Sequence, residues 1–182
     1  FAYVAKEITP KKWDEVAELR LPGIYSEPTA KRVYPQGSLG AALLGFVGSD
    51  GHGLEGLEYS WDKALAGKDG QVTYESAAGG RRIPSADSET EESVAGVDVQ
   101  LTIDRDIQFI AERAIRAKVN QAAADSGTVV AMDPRTGEVL AMATYPSLDP
   151  SKPTAAADAD RGNRAVTEIY EPGSTSKVMT MA

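Results

Sequence analysis

Apolar residues change their period several times along this chain, and each change predicts an element. Thr9 is a good helix N-cap, Pro10 sits at the first helical position, and Trp13, Val16, Ala17 and Leu19 follow as an approximate stripe until Leu21-Pro22-Gly23 stops it. Lys31 to Tyr34 reads as extended and is closed by Pro35-Gln36-Gly37, and Leu39 to Phe46 reads as a short helix ended by Gly48. Glu55 to Ala66 reads as one helix, with Leu57, Trp61, Ala64 and Leu65 at helical spacing and Gly67 just past its end. Gln71 to Ser76 alternates like a strand, and a second strand is expected at Arg81 to Ile83 after the Gly79-Gly80 turn.

The polar run Asp87-Ser88-Glu89-Thr90-Glu91-Glu92 holds no core-forming residue and reads as a solvated loop and a seam. Beyond it the pattern sharpens. Val97, Val99, Leu101 and Ile103 alternate with polar residues, which predicts a half-buried strand. Asp104 then caps a long helix whose expected apolar face is Ile107, Ile110, Ala111, Ala114, Ile115, Val119 and Ala122. Gly127 to Met132 and Val139 to Ala143 read as two strands joined by the turn Asp133-Pro134-Arg135-Thr136-Gly137. Ser147 to Arg161 is rich in Pro, Ala, Asp and Ser and reads as a loop; no internal repeat is visible. Strand, helix and hairpin in this order open an α+β sheet domain.

Composition narrows the function. A length of 182 residues suits one domain or two small ones, and a formal net charge of −8 argues against nucleic acid and anionic membrane as partners. With no cysteine there is no disulfide or thiolate chemistry, and neither a metal nor a cofactor is expected. No apolar run approaches the roughly 18 residues of a membrane span. Phe1 is not a start residue and Met181-Ala182 falls inside a helical pattern, so the sequence reads as a piece of a longer polypeptide.

A Ser-His-Asp triad would have to use His52, the single histidine, which sits in a Gly-rich loop and reads as solvated. Asp104 and Asp106 fall at a helix start, where they serve the dipole. Serine activated by lysine remains. In S-x-x-K the two side chains share one helix face, and partial desolvation would lower the amine pKa enough to accept the hydroxyl proton. The pattern occurs twice, as Ser60-Trp61-Asp62-Lys63 and Ser174-Thr175-Ser176-Lys177. The first is expected in mid-helix, with Lys63 an exposed charge. The second comes directly after Glu171-Pro172-Gly173, a sharp turn that would present Ser174 at a helix start.

Tyr170 to Lys177 closely resembles the active-site box of class B penicillin-binding proteins, one family of S-x-x-K acyl-transferases. The resemblance runs along nearly the whole chain. Leu21-Pro22-Gly23-Ile24, Arg32-Val33-Tyr34-Pro35, Leu44 to Gly48, Gly53 to Glu58, Trp61-Asp62 and Leu65-Ala66-Gly67 resemble the family's non-catalytic pedestal. Val99 to Asp104, Val129 to Ala143 and Asn163-Arg164-Ala165-Val166 resemble the start of its transpeptidase domain. The pedestal is nearer to the cell-division, FtsI-like type than to the elongation type.

The resemblance implies an elongated pedestal over residues 1–92 and, over 93–182, the first part of a serine β-lactamase-like transpeptidase domain. It implies Ser174 as the nucleophile acylated by a D-Ala-D-Ala stem peptide or a β-lactam. Lys177 would be the proton acceptor, the Ser174 N–H one oxyanion donor, and Glu55 and Glu58 would tie loop to helix. It also implies an upstream single membrane span, an extracytoplasmic location, and divisome or elongasome partners including a polytopic glycosyltransferase. The family's S-x-N and K-T-G motifs do not occur here, so residues 1–182 alone are expected neither to transpeptidate nor to bind penicillin. Two other readings stand beside this one. One is a pedestal module that docks other proteins; the other is a β-lactamase or β-lactam sensor, which lacks so long a pedestal.

Overall fold

The computed structural model describes residues 2–75 and 88–181 and forms two compact units, residues 1–33 and 34–182. The first unit is built around α1 (Pro10–Ala17), where the Thr9 hydroxyl accepts the Lys12 N–H at 3.3 Å. The helix is shorter than its apolar stripe suggested: Leu19 lies beyond it and is exposed. Lys31 pairs with Glu7 at 2.9 Å across this unit.

In the second unit, Leu39 to Phe46 forms only the single turn α2 (Ala41–Leu44), because Gly45 (φ 81°, ψ −157°) ends it three residues before Gly48. The expected single helix from Glu55 is two, α3 (Gly56–Ser60) and α4 (Asp62–Leu65), broken where Trp61 leaves helical geometry at φ −113°, ψ 13°. Asp62, the first residue of α4, is the tie between loop and helix. One of its oxygens accepts the Gly53 N–H at 2.8 Å and the other meets His52 Nδ1 at 3.1 Å. Glu55, expected to share that work, makes no side-chain cap bond to α3.

His52 is therefore paired rather than merely solvated. The Asp62 hydrogen bond, then the charges of Asp62 and Asp50, raise its pKa above the ordinary 6.5. The Gly53 N–H, then His52, lower that of Asp62. A histidine whose folded pKa is raised contributes stability that is full below the unfolded value and lost as pH rises through the folded value. Proton NMR of the lone histidine should accordingly give a midpoint above 6.5 that Asp62→Asn returns toward it. An unchanged midpoint in that variant would exclude the pairing.

Strand β1 (Gln71–Tyr74) pairs antiparallel with β2 (Ser88–Glu91), so the acidic run expected as a loop is largely strand. Every residue of both strands is exposed. Their pairing rests on main-chain bonds, which hydrophobic patterning does not report. The strand expected at Arg81 to Ile83 and residue Asp87 lie outside the described residues. Lys68 and Val94 exchange both main-chain hydrogen bonds at 2.8 and 2.9 Å, and Val97 N–H reaches Ala64 O at 2.9 Å. Val97 to Ile103 belongs to no strand, contrary to expectation. Val99, Leu101 and Ile103 are still half-buried on one side, while the contacts of the segment are single ones: Thr102 Oγ1 to Val139 O at 2.7 Å and Asp104 N–H to Leu140 O at 2.9 Å.

Asp104 Oδ1 accepts the N–H groups of Asp106 and Ile107, both at 2.9 Å, and so caps α5 (Arg105–Ala122) as the sequence indicates. Strands β3 (Gly127–Met132) and β4 (Val139–Tyr145) form the expected hairpin, with a register shift at Ala131/Met132. In its turn, the Arg135 N–H bond to Asp133 holds that carboxyl below its usual range. Helix α5 packs on β4 through Ala111, Ala141 and Ala143, with Ile115 and Val129 around them. The expected apolar face is kept in part: Ala111 and Val119 are buried and Ile115 packs on the core, whereas Ile107 and Ile110 are exposed and Gln108 is the largest fully enclosed side chain among the described residues. The Gln108 amide replaces a strand partner, accepting Met142 N–H at 2.8 Å and donating to Met142 O at 3.1 Å. Gln108 Nε2 also donates to Glu112 Oε1 at 2.9 Å, which takes the Gly40 N–H at 2.7 Å. A second small core joins Ala41 and Phe46 to Leu148, with Tyr34 and Ala156 packed on it. Among the described residues no helix is long and apolar enough to cross a membrane.

Candidate acylation site

The stretch before the S-x-x-K box is a stapled loop rather than a free one. Two 3-10 turns, Pro153–Ala155 and Asp158–Asp160, are joined by Arg161, which donates to Pro153 O at 3.0 Å and Ala156 O at 3.1 Å and pairs with Asp158 at 2.7 Å. Asn163 is 7% exposed and anchors the next helical turn to the sheet. Its Nδ2 donates to Met142 Sδ at 3.0 Å, its Oδ1 caps α6 (Arg164–Thr167) through Ala165 N–H at 3.1 Å, and its carbonyl accepts Thr167 Oγ1 at 3.0 Å.

Arg164 carries the strongest electrostatics here. Its side chain is 12% exposed and donates to Asp160 Oδ1 at 2.6 Å and to Glu168 Oε1. The Asp160 hydrogen bond, with Glu168 in support, raises its pKa further against the opposing effect of burial. Sequence reasoning passed over this cluster, although Asp160, Arg164 and Glu168 are spaced four apart in the pattern that favours ion pairs.

Glu168 leaves the helix in an extended conformation, and Ile169 and Tyr170 after it are 102% and 72% exposed. Pro172 turns it, and Gly173, at φ 52°, adopts the left-handed conformation that glycine takes without penalty. The box opens as a 3-10 turn, Gly173–Ser176, and only Lys177 begins α7 (Lys177–Met181). The expected helix start at Ser174 is therefore one tighter turn. Lys177 N–H bonds Ser174 O, and residues three apart in a 3-10 turn eclipse one another, so the two side chains share a face. Ser176 Oγ is committed to Gly173 O at 2.7 Å. Ser174 and Lys177 are both exposed. A cavity of about 210 Å³ lies elsewhere, lined by Ser38, Glu112, Arg116, Thr144, Tyr145 and Leu148 among others.

The other S-x-x-K is excluded by its setting. Ser60 ends α3 and bonds Gly56 O at 3.0 Å, Lys63 lies in α4, and the break at Trp61 stands between them. Among the described residues no group of three or more acidic or His side chains could hold a metal ion.

Residues 2–101 match the penicillin-binding protein dimerisation domain, and residues 127–182 match the penicillin-binding protein transpeptidase domain. The first match alone covers more than half of the chain. The chain belongs to the class B penicillin-binding proteins. Peptidoglycan D,D-transpeptidase FtsI of Escherichia coli (strain K12) is 37% identical over 181 residues, covering 100% of this chain and 30% of that protein. A peptidoglycan synthetase from Bifidobacterium adolescentis superposes with TM-score 0.71 at 35% identity, over 96% of this chain and 32% of the other. Penicillin-binding protein 3 of Mycobacterium tuberculosis, in its complex with aztreonam, gives TM-score 0.67 at 39% identity over 81% of this chain and 30% of its own. The chain thus spans about a third of the length of these relatives. In this class B penicillin-binding protein the dimerisation-domain match ends at Leu101, within the Val97–Ile103 segment, and the transpeptidase match begins at β3.

Proposed function

We propose that the polypeptide carrying this chain is a peptidoglycan D-Ala-D-Ala transpeptidase that forms cell-wall cross-links through an acyl-enzyme on Ser174. The observation that carries this reading is the Gly173–Ser176 turn, which sets Ser174 and Lys177 on one face inside the transpeptidase match. Lys177 Nζ takes the Ser174 proton as Oγ attacks the carbonyl of the penultimate D-Ala. The terminal D-Ala leaves with a proton on its amine. An amine of a second stem peptide then attacks the ester and releases Ser174. A β-lactam would acylate the same oxygen by ring opening and add its whole mass. FtsI's name and the aztreonam complex of the Mycobacterium tuberculosis relative support both halves.

Residues 1–92 would then be the pedestal and 93–182 the opening of the catalytic domain, membrane-anchored upstream and facing the extracytoplasmic side. The partners would be divisome or elongasome membrane proteins, a polytopic glycosyltransferase among them. The pedestal-module reading keeps one observation of its own: Val4, Leu19, Tyr25 and Val33 of the first unit are all at least 65% exposed.

Intact-mass spectrometry with benzylpenicillin tests the enzyme reading. The whole protein should gain one penicillin mass, on the peptide containing Ser174, while residues 1–182 alone remain unmodified. A whole protein that stays unmodified, or is modified at another residue, would remove the reading. Rapid loss of the adduct by hydrolysis would favour a β-lactamase.

A further inference from the structure

Helix α6 is a single turn of four residues, too short to hold its own direction. Its start is fixed, because Asn163 is tied to Met142 on β4. Its end must also be fixed for the chain to leave it along one line toward Ser174. Ile169 and Tyr170 cannot supply that restraint, since their exposure leaves nothing packed on them. Within the turn, Thr167 Oγ1 bonds Asn163 O at 3.0 Å and Glu168 N–H bonds Arg164 O at 3.2 Å; what ties its end to the preceding turn is an ion pair. Glu168 is the residue at which the chain leaves α6, and its carboxylate is held by Arg164. The guanidinium is in turn held by Asp160 of the preceding turn at 2.6 Å. The order of burial supports this division of labour. Side-chain exposure is 12% at Arg164, 22% at Asp160 and 45% at Glu168, so the clamp is rooted inside and reaches outward toward the box.

Taking the acyl-transfer reading above as its basis, we infer that Arg164 is a positioning residue for the acylation serine. It holds Asp160 and Glu168 together and so sets the direction in which residues 169–173 present the turn that carries Ser174 and Lys177. Neither Arg164 nor Glu168 touches the reacting atoms. Their effect is on how often the serine oxygen stands in line for attack, and a displacement of about 1 Å there costs on the order of a hundredfold in rate.

The test uses the whole protein and time courses of labelled-penicillin acylation at several concentrations, which separate initial binding from the acylation rate constant. Arg164→Gln, Arg164→Lys and Glu168→Ala are compared with wild type, with thermal midpoints measured alongside. Arg164→Gln and Glu168→Ala should slow acylation roughly 10- to 100-fold with initial binding near wild type. Arg164→Lys, which keeps the charge but can hold one carboxylate firmly and not two, should recover part of the rate. Glu168 is close to half exposed, so its variant should keep the wild-type midpoint even where Arg164→Gln fails to fold. Wild-type acylation in a folded Glu168→Ala protein would overturn the inference, and so would rate losses that simply track the midpoints. If wild type itself is not acylated at Ser174, the enzyme reading fails instead, and the two failures are told apart by that control.

Discussion

Replacing Lys177 with Gln will slow acylation of Ser174 by about 10²- to 10⁴-fold, the range a positioned general base supplies. The Lys177 N–H bond to Ser174 O fixes the main chain between the two residues, and the 3-10 turn aligns their side chains. Glutamine keeps the length and polarity of the chain but cannot accept a proton. Lys177 is exposed, so its replacement should leave the unfolding midpoint unchanged, which separates this loss from a folding defect. A Lys177→Gln protein acylated within an order of magnitude of wild type would assign the base to another group.

Gly45→Ala will destabilise the fold by roughly 4 kcal/mol or more, in the tail of single-substitution effects that demands a named cause. Two causes coincide. Gly45 lies at φ 81°, ψ −157°, a region closed to side chains, at a cost of about 1–3 kcal/mol for other residues. A Cβ on it would also stand 1.7 Å from Glu55 O and 2.8 Å from Gly56 N, both main-chain atoms that cannot swing away. Gly137→Ala in the β3–β4 turn is the matched control. Its φ is 78°, yet a Cβ there meets nothing within 4 Å, so only the conformational cost of about 1–2 kcal/mol applies. Urea unfolding of both variants checks the difference; equal losses would mean that the close approach of Gly45 to Glu55 is not what matters.

The elements legible in the sequence were those whose signals are local. Thr9 and Asp104 announced their helices because a cap is a side chain bonded to the main chain two or three residues on. Asp133 to Gly137 announced a turn in the same way. What was not legible depended on partners distant in sequence. Ser88 to Glu91 became a strand because β1 offered main-chain groups, and nothing in an acidic run foretells that. On α5 Ala111, Ile115 and Val119 pack as their spacing indicates, but Ile107 and Ile110 misled, because near Ala141 and Ala143 the helix buries the flat amide of Gln108 instead. At the candidate site the box itself was plain. Its support was not: Asn163 meets Met142 from twenty-one residues away, and Arg164 spans a turn and a helix that are both too short to carry a periodic signal.

The pairing of Gln108 with Met142 also decides which way the sheet can grow. Met142 and Leu140 present their outward main-chain groups on the side of β4 away from β3, and there Gln108 and the Asp104 N–H have already occupied them. Over Leu140 and Met142 that border is taken by one amide and the residue that caps the helix. On β3 the alternation of the ladder turns the main-chain groups of Thr128 and Val130 outward. A third strand pairing beside them would make β3 an interior strand and leave the Leu140–Met142 stretch of β4 at the margin of the sheet.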